Sequence, residues 1–182
     1  MTDTTQNSFW RDAARAGLVL GLVIVAFTFA AHYTGLDDNA PGTVGVFNFI
    51  ASAATIYIYG RHRAVRRGEA GFTFGESLRY SLAIMLFAGF VVGVGQWILF
   101  TWVTPETYAQ AIEVSIARTR ELFNSLPQEQ IDQGIEAARR ISTSPIFIIF
   151  TYILNMLING LLIGLVAALF IRTERETGHR IG

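Results

Sequence analysis

The sequence predicts an all-α, polytopic membrane protein with four transmembrane helices and a two-helix extracytoplasmic insertion between helices three and four. Three observations carry that prediction. Apolar residues make up 52% of the 182-residue chain and charged residues only 15%, where a soluble domain carries about a quarter; mean hydropathy is +0.41. The apolar residues gather into four blocks with nearly all charge between and around them, which fits a cost of at least ~2.5 kcal/mol for an ionised side chain at bilayer depth. Finally, arginine is distributed unequally among the segments that join the blocks.

Residues 1–15 read as a cytoplasmic N-terminal segment. The first block, Ala16 to Thr34, has no charge after Arg15 and meets the roughly 20 residues a hydrocarbon core requires. Arg11 and Arg15 before it, with Ala30 and Ala31 near its end, are laid out as in a secretory signal. The block's length and the three that follow favour an uncleaved span. The second block, Thr43 to Tyr59, is short and mildly polar, with Asn48, Ser52 and Thr55 inside it. Residues 60–75 then form a basic cytoplasmic loop. The third block, Glu76 to Val103, has about 28 residues, and at ~1.5 Å each it reaches ~40 Å, beyond a ~30 Å core. It must tilt or project from the membrane. Residues 16–103 thus hold three spans.

Residues 104–144 are polar but keep helical spacing. Tyr108, Ile112, Ser115, Thr119 and Phe123 recur at three and four, and Ile131, Ile135, Ala138 and Ile141 do so after Pro127. Two short amphipathic helices follow, arranged as a hairpin. Thr104-Pro105 and Ser144-Pro145 each set a hydroxyl before proline at a first helical position, and Ser125-Leu-Pro-Gln128 has capping-box spacing. Pro105 marks a break or kink after the third span. The fourth span, Pro145 to Ile171, holds no charge between Arg140 and Arg172, and residues 172–182 form a cytoplasmic tail.

Orientation follows from the arginines, since basic residues concentrate on the cytoplasmic side. All fourteen basic residues are Arg. Nine fall in the N-terminal segment, the second connection and the C-terminal tail, a tenth (Arg79) falls at the adjoining start of the third block, and four (Arg118, Arg120, Arg139, Arg140) fall on the other side. Both termini are therefore expected in the cytoplasm, in a bacterial inner membrane. Aromatic residues suit two interface belts: Trp10, Tyr59 and Tyr80 on the inner side, and Tyr33, Trp97, Trp102 and Tyr108 on the outer.

Several weak motifs recur in a fixed order: Gly71-Phe-Thr-Phe-Gly-Glu-Ser-Leu-Arg-Tyr80 leading into a span, Thr104-Pro-Glu-Thr-Tyr108, Leu126-Pro-Gln-Glu-Gln-Ile-Asp-Gln133, and Ser144-Pro145 opening the last helix. Together they resemble the small bacterial membrane proteins grouped as domain of unknown function 4199, over about Phe9 to Arg175. The resemblance implies a four-helix inner-membrane protein with a helical extracytoplasmic insertion. It implies no activity and no functional residues.

Candidate sites are few. Asn155 and Asn159 share a face of the fourth span. With Asn48, Ser52 and Thr55 on the second span and Gln96 on the third, they are the polar set at membrane depth. Such a set serves either as interhelical hydrogen bonding, worth ~0.6 kcal/mol per contact on average, or as the lining of a small ligand or permeation site. Small-residue pairs at i, i+4 (Gly17 and Gly21, Gly89 and Gly93, Gly160 and Gly164) allow close backbone approach, within the bundle or in a homo-oligomer. Arg61, Arg63, Arg66 and Arg67 fix topology and suit anionic lipid headgroups. Thr73-Phe-Gly-Glu76 has capping-box spacing.

The chain lacks cysteine, and zero net charge gives no electrostatic case for nucleic acid. His32, His62 and His179 are scattered, and the outer Glu and Asp residues alternate with Arg, so no metal site, cofactor or catalytic group is expected, nor an enzyme. Two function classes remain. One is a structural or interaction protein that presents residues 105–142 to a membrane or envelope partner. The other is a permeation or ligand-binding bundle lined by Gln96, Asn155 and Asn159.

Overall fold

The computed structural model describes residues 3–40, 42–67, 72–122 and 128–171. In chain order these form α1 (Asp3–Thr34), a short α2 (Leu36–Asn39), α3 (Thr43–Arg67), α4 (Phe74–Ile98) with a π-helical turn over Leu99–Val103, α5 (Pro105–Leu122), α6 (Gln128–Ser142) and α7 (Pro145–Ile171). Among the described residues, four stretches are long and apolar enough to cross a membrane: Ser8–Thr34, Thr43–Arg66, Phe74–Val103 and Pro145–Ile171.

Two helices outrun their apolar blocks. α1 begins at Asp3, because its buried stripe continues backward from Ile24 and Leu20 through Ala16 and Ala13 to the half-buried Phe9. α3 continues through Gly60–Arg67, where the sequence suggested the start of a loop. Arg is a good helix former, and Arg61 Nη1 donates to the Tyr57 hydroxyl one turn back at 2.9 Å. The capping box at the start of α4 forms in full. Glu76 N–H donates to Thr73 Oγ1 at 3.3 Å, and Thr73 N–H donates to Glu76 Oε2 at 3.0 Å.

The α4–α5 junction departs from the expected cap. Thr104 Oγ1 donates backward to the Leu99 carbonyl at 3.2 Å, and Thr104 N–H donates to the same carbonyl at 2.8 Å, closing the π turn. Proline at 105 has no N–H to contribute, so the widened turn is where one helix yields to the next. The box proposed for Ser125–Gln128 lies outside the described residues.

Helix α4 is central. Of its most apolar stretch 56% is buried, against 17% for α3, the most peripheral span. α1 and α7 pack along α4, and α3 closes against α1 and α7. Lipid tails are as apolar as leucine, so helices associate in a bilayer through close packing. Glycine provides that here. A Cβ on Gly89 or Gly93 would lie 2.8 Å from the Cα of Ile153 or Ile149 on α7, and one on Gly17 would lie 2.5 Å from the Ile84 carbonyl oxygen on α4. Gly21 faces Val91, while Gly160 and Gly164 face Met85 and Ser81. All six small residues singled out in the sequence therefore sit at helix contacts within one chain.

α5 and α6 run antiparallel, with Arg139 paired to Glu113 and Arg120 to Asp132. Ile116, Ile131 and Ile135 are buried between them, with Ile112 alongside. The pair is tied to the bundle by aromatic contacts. Tyr108 stacks on Phe100 with centroids 4.3 Å apart, and its hydroxyl donates to the Ser142 carbonyl at 2.8 Å. Burial raises the Tyr108 pKa above its ordinary value.

Candidate functional site, a polar cavity between three spans

Three spans bring the intramembrane polar residues to one place. Asn48 and Ser52 on α3, Gln96 on α4, and Asn155 and Asn159 on α7 line a single cavity of about 140 Å³, with Tyr152, Phe49 and Met156 completing the wall. At ~30 Å³ per molecule of liquid water, that is room for about four waters or one solute of equal bulk. Thr55, grouped with this set in the sequence, does not line it.

The site runs from the middle of the bundle toward the end that carries the α5–α6 hairpin. α7 starts at Pro145, so Asn155 and Asn159 lie ~15 and ~20 Å along it at ~1.5 Å per residue. Asn48 is ~8 Å into α3 by the same rise, and Gln96 is ~10 Å from the end of the third span. The cavity exists because the seam between α4 and α7 is tight where Gly89 and Gly93 meet α7, whereas α3 is the loosely packed span. Asn155 is exposed at the edge of the site, Asn159 is half-buried, and Ser52 and Gln96 are buried.

The hydrogen bonding is incomplete. Asn159 Nδ2 donates to the Asn155 side-chain oxygen at 2.9 Å and to its backbone carbonyl at 3.0 Å, so the two amides engage each other within α7. Asn48 Oδ1 is buried with no partner in the protein. With no donor from the protein, this carbonyl is left to accept from water or from a guest in the cavity. The lining holds no carboxylate, histidine or cation. A primary amide offers two donors and an acceptor. The arrangement therefore suits neutral hydrogen-bonding molecules and offers no fixed charge to hold an ion.

At the opposite end, the arginine group divides. Arg61 and Arg66 are exposed, and the side chain of Arg67 lies outside the described residues. Arg63 is turned inward instead of toward headgroups. Its Nη1 meets Asp12 Oδ2 at 3.0 Å, with side-chain exposures of 10% and 29%, and its guanidinium lies 5.1 and 5.2 Å from the ring centres of Phe9 and Tyr80. Tyr80, expected in an interface belt, is correspondingly a core residue at 2% exposure. No role for Asp12 follows from the sequence reading. The available signal was its place beside Phe9, Ala13 and Ala16, the stripe that extends the first span. Among the described residues no group of His, Asp and Glu is placed to hold a metal.

A family model described as a protein of unknown function, DUF4199, matches residues 15–173. The chain belongs to that family. No curated protein and no solved structure matches the sequence.

Proposed function

We propose that this member of the DUF4199 family binds a small, neutral, hydrogen-bonding molecule between its membrane spans, without chemical turnover. The observation that carries the proposal is the convergence of Asn48, Ser52, Gln96, Asn155 and Asn159 on one 140 Å³ cavity with a buried, unpartnered Asn48 Oδ1. Interhelical hydrogen bonding, the plainer use of such residues, is not how the two α7 amides are spent. They bond to each other beside a void. A permeation route is the extended form of the same reading, with Asn155 at its exposed edge.

In this proposal the arginine asymmetry holds both termini in the cytoplasm of an inner membrane, so the cavity opens nearer the extracytoplasmic side. A reporter fused after Gly182 gives a cytoplasmic signal on this reading, and an extracytoplasmic signal inverts it. The binding test is thermal: the purified protein is heated with urea, acetamide, glycerol and related neutral solutes. Binding to the folded state raises Tm, and the rise disappears in Asn48→Leu and Asn155→Leu. If every solute shifts the wild type and both variants equally, the cavity is not a binding site.

A second reading rests on the hairpin. Val114, Leu122 and Ile141 are 55%, 78% and 51% exposed on helices that are not candidate spans, which supports a contact surface for a membrane or envelope protein over residues 105–142. Pull-down with Val114→Glu, Leu122→Glu and Ile141→Glu tests it: a partner held by the wild type alone supports the surface.

A further inference from the structure

The α5–α6 hairpin is joined to the bundle along a narrow seam. α5 meets the π turn and α6 meets α7, and beside these contacts lies a hollow of about 390 Å³ bounded by Pro105, Thr143 and Ile148 among others. Packed interiors leave few voids much larger than a water molecule, so this junction is looser than the bundle it adjoins. Tyr108 makes the firm contact there. Its ring lies within 6° of parallel to that of Phe100 in the π turn, with centroids 4.3 Å apart. Its hydroxyl donates to the Ser142 carbonyl at the end of α6. One side chain therefore ties both helices of the hairpin to the third span.

Phe100 has a second aromatic neighbour. The ring of Tyr152 on α7 lies 6.5 Å away, centroid to centroid, and is tilted by 45°, inside the range over which aromatic rings interact. Tyr152 belongs to the wall of the polar cavity, as does Gln96, four residues before Phe100. Phe100 and Tyr108 stay outside that wall. Three rings thus run from the hairpin to the cavity. The middle one sits in a π turn, a rare form that recurs at functional sites. The turn has the make-up of a hinge: the Leu99 carbonyl accepts from both the N–H and the hydroxyl of Thr104, and Pro105 has no N–H to hold α5 in line.

We propose that Tyr108 is a positioning residue for the cavity: with the hairpin seated, it holds Phe100 against Tyr152 and keeps the wall closed to molecules larger than the small neutral guest. Unseating the hairpin at the π turn releases that wall. The inference rests on the cavity being a binding site, and adds to it a size gate controlled from the hairpin. Coupling of this kind is reciprocal, so a guest that favours the closed wall also favours the seated hairpin.

The test reads access to the cavity with two neutral reagents, methyl methanethiosulfonate and its bulkier benzyl counterpart, on full-length Ser52→Cys in liposomes. Each reagent is compared with itself across backgrounds, so its partition into lipid cancels. Adding Phe100→Leu or Tyr108→Ala should raise the benzyl rate relative to the methyl rate by about 2- to 30-fold, the span of couplings carried through packed side chains. Phe100→Tyr keeps the ring and should keep the ratio. Ile56→Cys, buried at 1% exposure outside the cavity, should stay unreactive in every background. A ratio unmoved or lowered by Phe100→Leu and Tyr108→Ala, with the Ser52→Cys thiol still reactive, overturns the gate and leaves the binding site standing. Reactivity gained at Ile56→Cys also overturns it, because the rings would then support the bundle as a whole. A Ser52→Cys thiol inert to both reagents in all backgrounds removes the binding site and the gate together.

Discussion

The two ends of the bundle treat buried polar groups in opposite ways. At the arginine-rich end, Arg63 is met by Asp12 and flanked by two aromatic rings, and Thr73 and Glu76 satisfy each other's helix-start groups. Even there, Arg63 Nε and Ser77 Oγ are buried without partners, but the charge itself is answered. At the hairpin end, Asn48, Gln96, Asn155 and Asn159 surround a void, and the one complete pairing is between neighbours on a single helix. A polar group answered from another helix fixes helix position. A polar group left open beside a cavity leaves capacity for a guest. The first end reads as a lock; under the proposed function the second is a receptor.

The largest expected effect lies in the lock. Asp12→Ala strands a buried guanidinium, a change that costs ~3–5 kcal/mol when the pair is fully buried; with Asp12 at 29% side-chain exposure the loss falls at the lower part of that range. Thermal unfolding in detergent measures it. The double variant Asp12→Leu, Arg63→Met should recover much of the loss, since apolar replacement of a buried pair is often neutral or better. If Asp12→Ala unfolds at the wild-type temperature, the pair is not a lock.

Next comes the glycine seam. Gly93→Leu drives a side chain into the Ile149 backbone, and overpacking of this kind costs ~1–3 kcal/mol. Gly45→Leu is the contrast, because nothing lies within 4 Å of a Cβ there. It should leave stability nearly unchanged while it obstructs the cavity that Gly45 lines. Equal destabilisation by the two would erase the distinction between a tight seam and an open site.

The receptor end should tolerate loss of polarity. Asn48→Leu removes a side chain that has no hydrogen bond to the rest of the protein through Oδ1, so its unfolding temperature should stay close to that of the wild type while solute binding disappears. A marked fall in stability would mean that the amide is a structural hydrogen-bonding group. The smallest effect belongs to the hairpin surface. Arg120→Gln breaks a pair whose members are more than half exposed, and such pairs contribute ~0.2–1 kcal/mol, screened by salt.

Legibility in the sequence tracked the range of the physics involved. The four spans rest on block hydropathy, and the fourth appears from Pro145 to Ile171 because proline and charge bound it sharply. The Thr73–Glu76 box is a local pattern and was readable as such. The ends of α1 and α3 were less legible, because charged residues at a membrane boundary mark the end of the apolar run without ending the helix. The polar set was visible as residues at depth. That Tyr152 and Gly45 join it, and that Thr55 does not, depends on how three helices face one another. Asp12 and Arg63, 51 residues apart, were not legible as a pair, since nothing local connects them and Arg63 sits in a run whose other members suit topology alone.

The proposed function requires the hairpin end to hold a hydrated, solute-accessible cavity, and a chain without cysteine allows this to be tested on a clean background. Ser52→Cys replaces one lining hydroxyl with a thiol of similar size. Ile56→Cys, one turn along α3 at 1% exposure, is buried outside the cavity, and Ile58→Cys at 61% exposure faces lipid. Each is reconstituted in liposomes and treated with a small hydrophilic thiosulfonate. Modification of Ser52→Cys alone, slowed by whichever neutral solute raises Tm, is the predicted result. A Ser52→Cys thiol as inert as those at positions 56 and 58 would rule out a solute-accessible cavity.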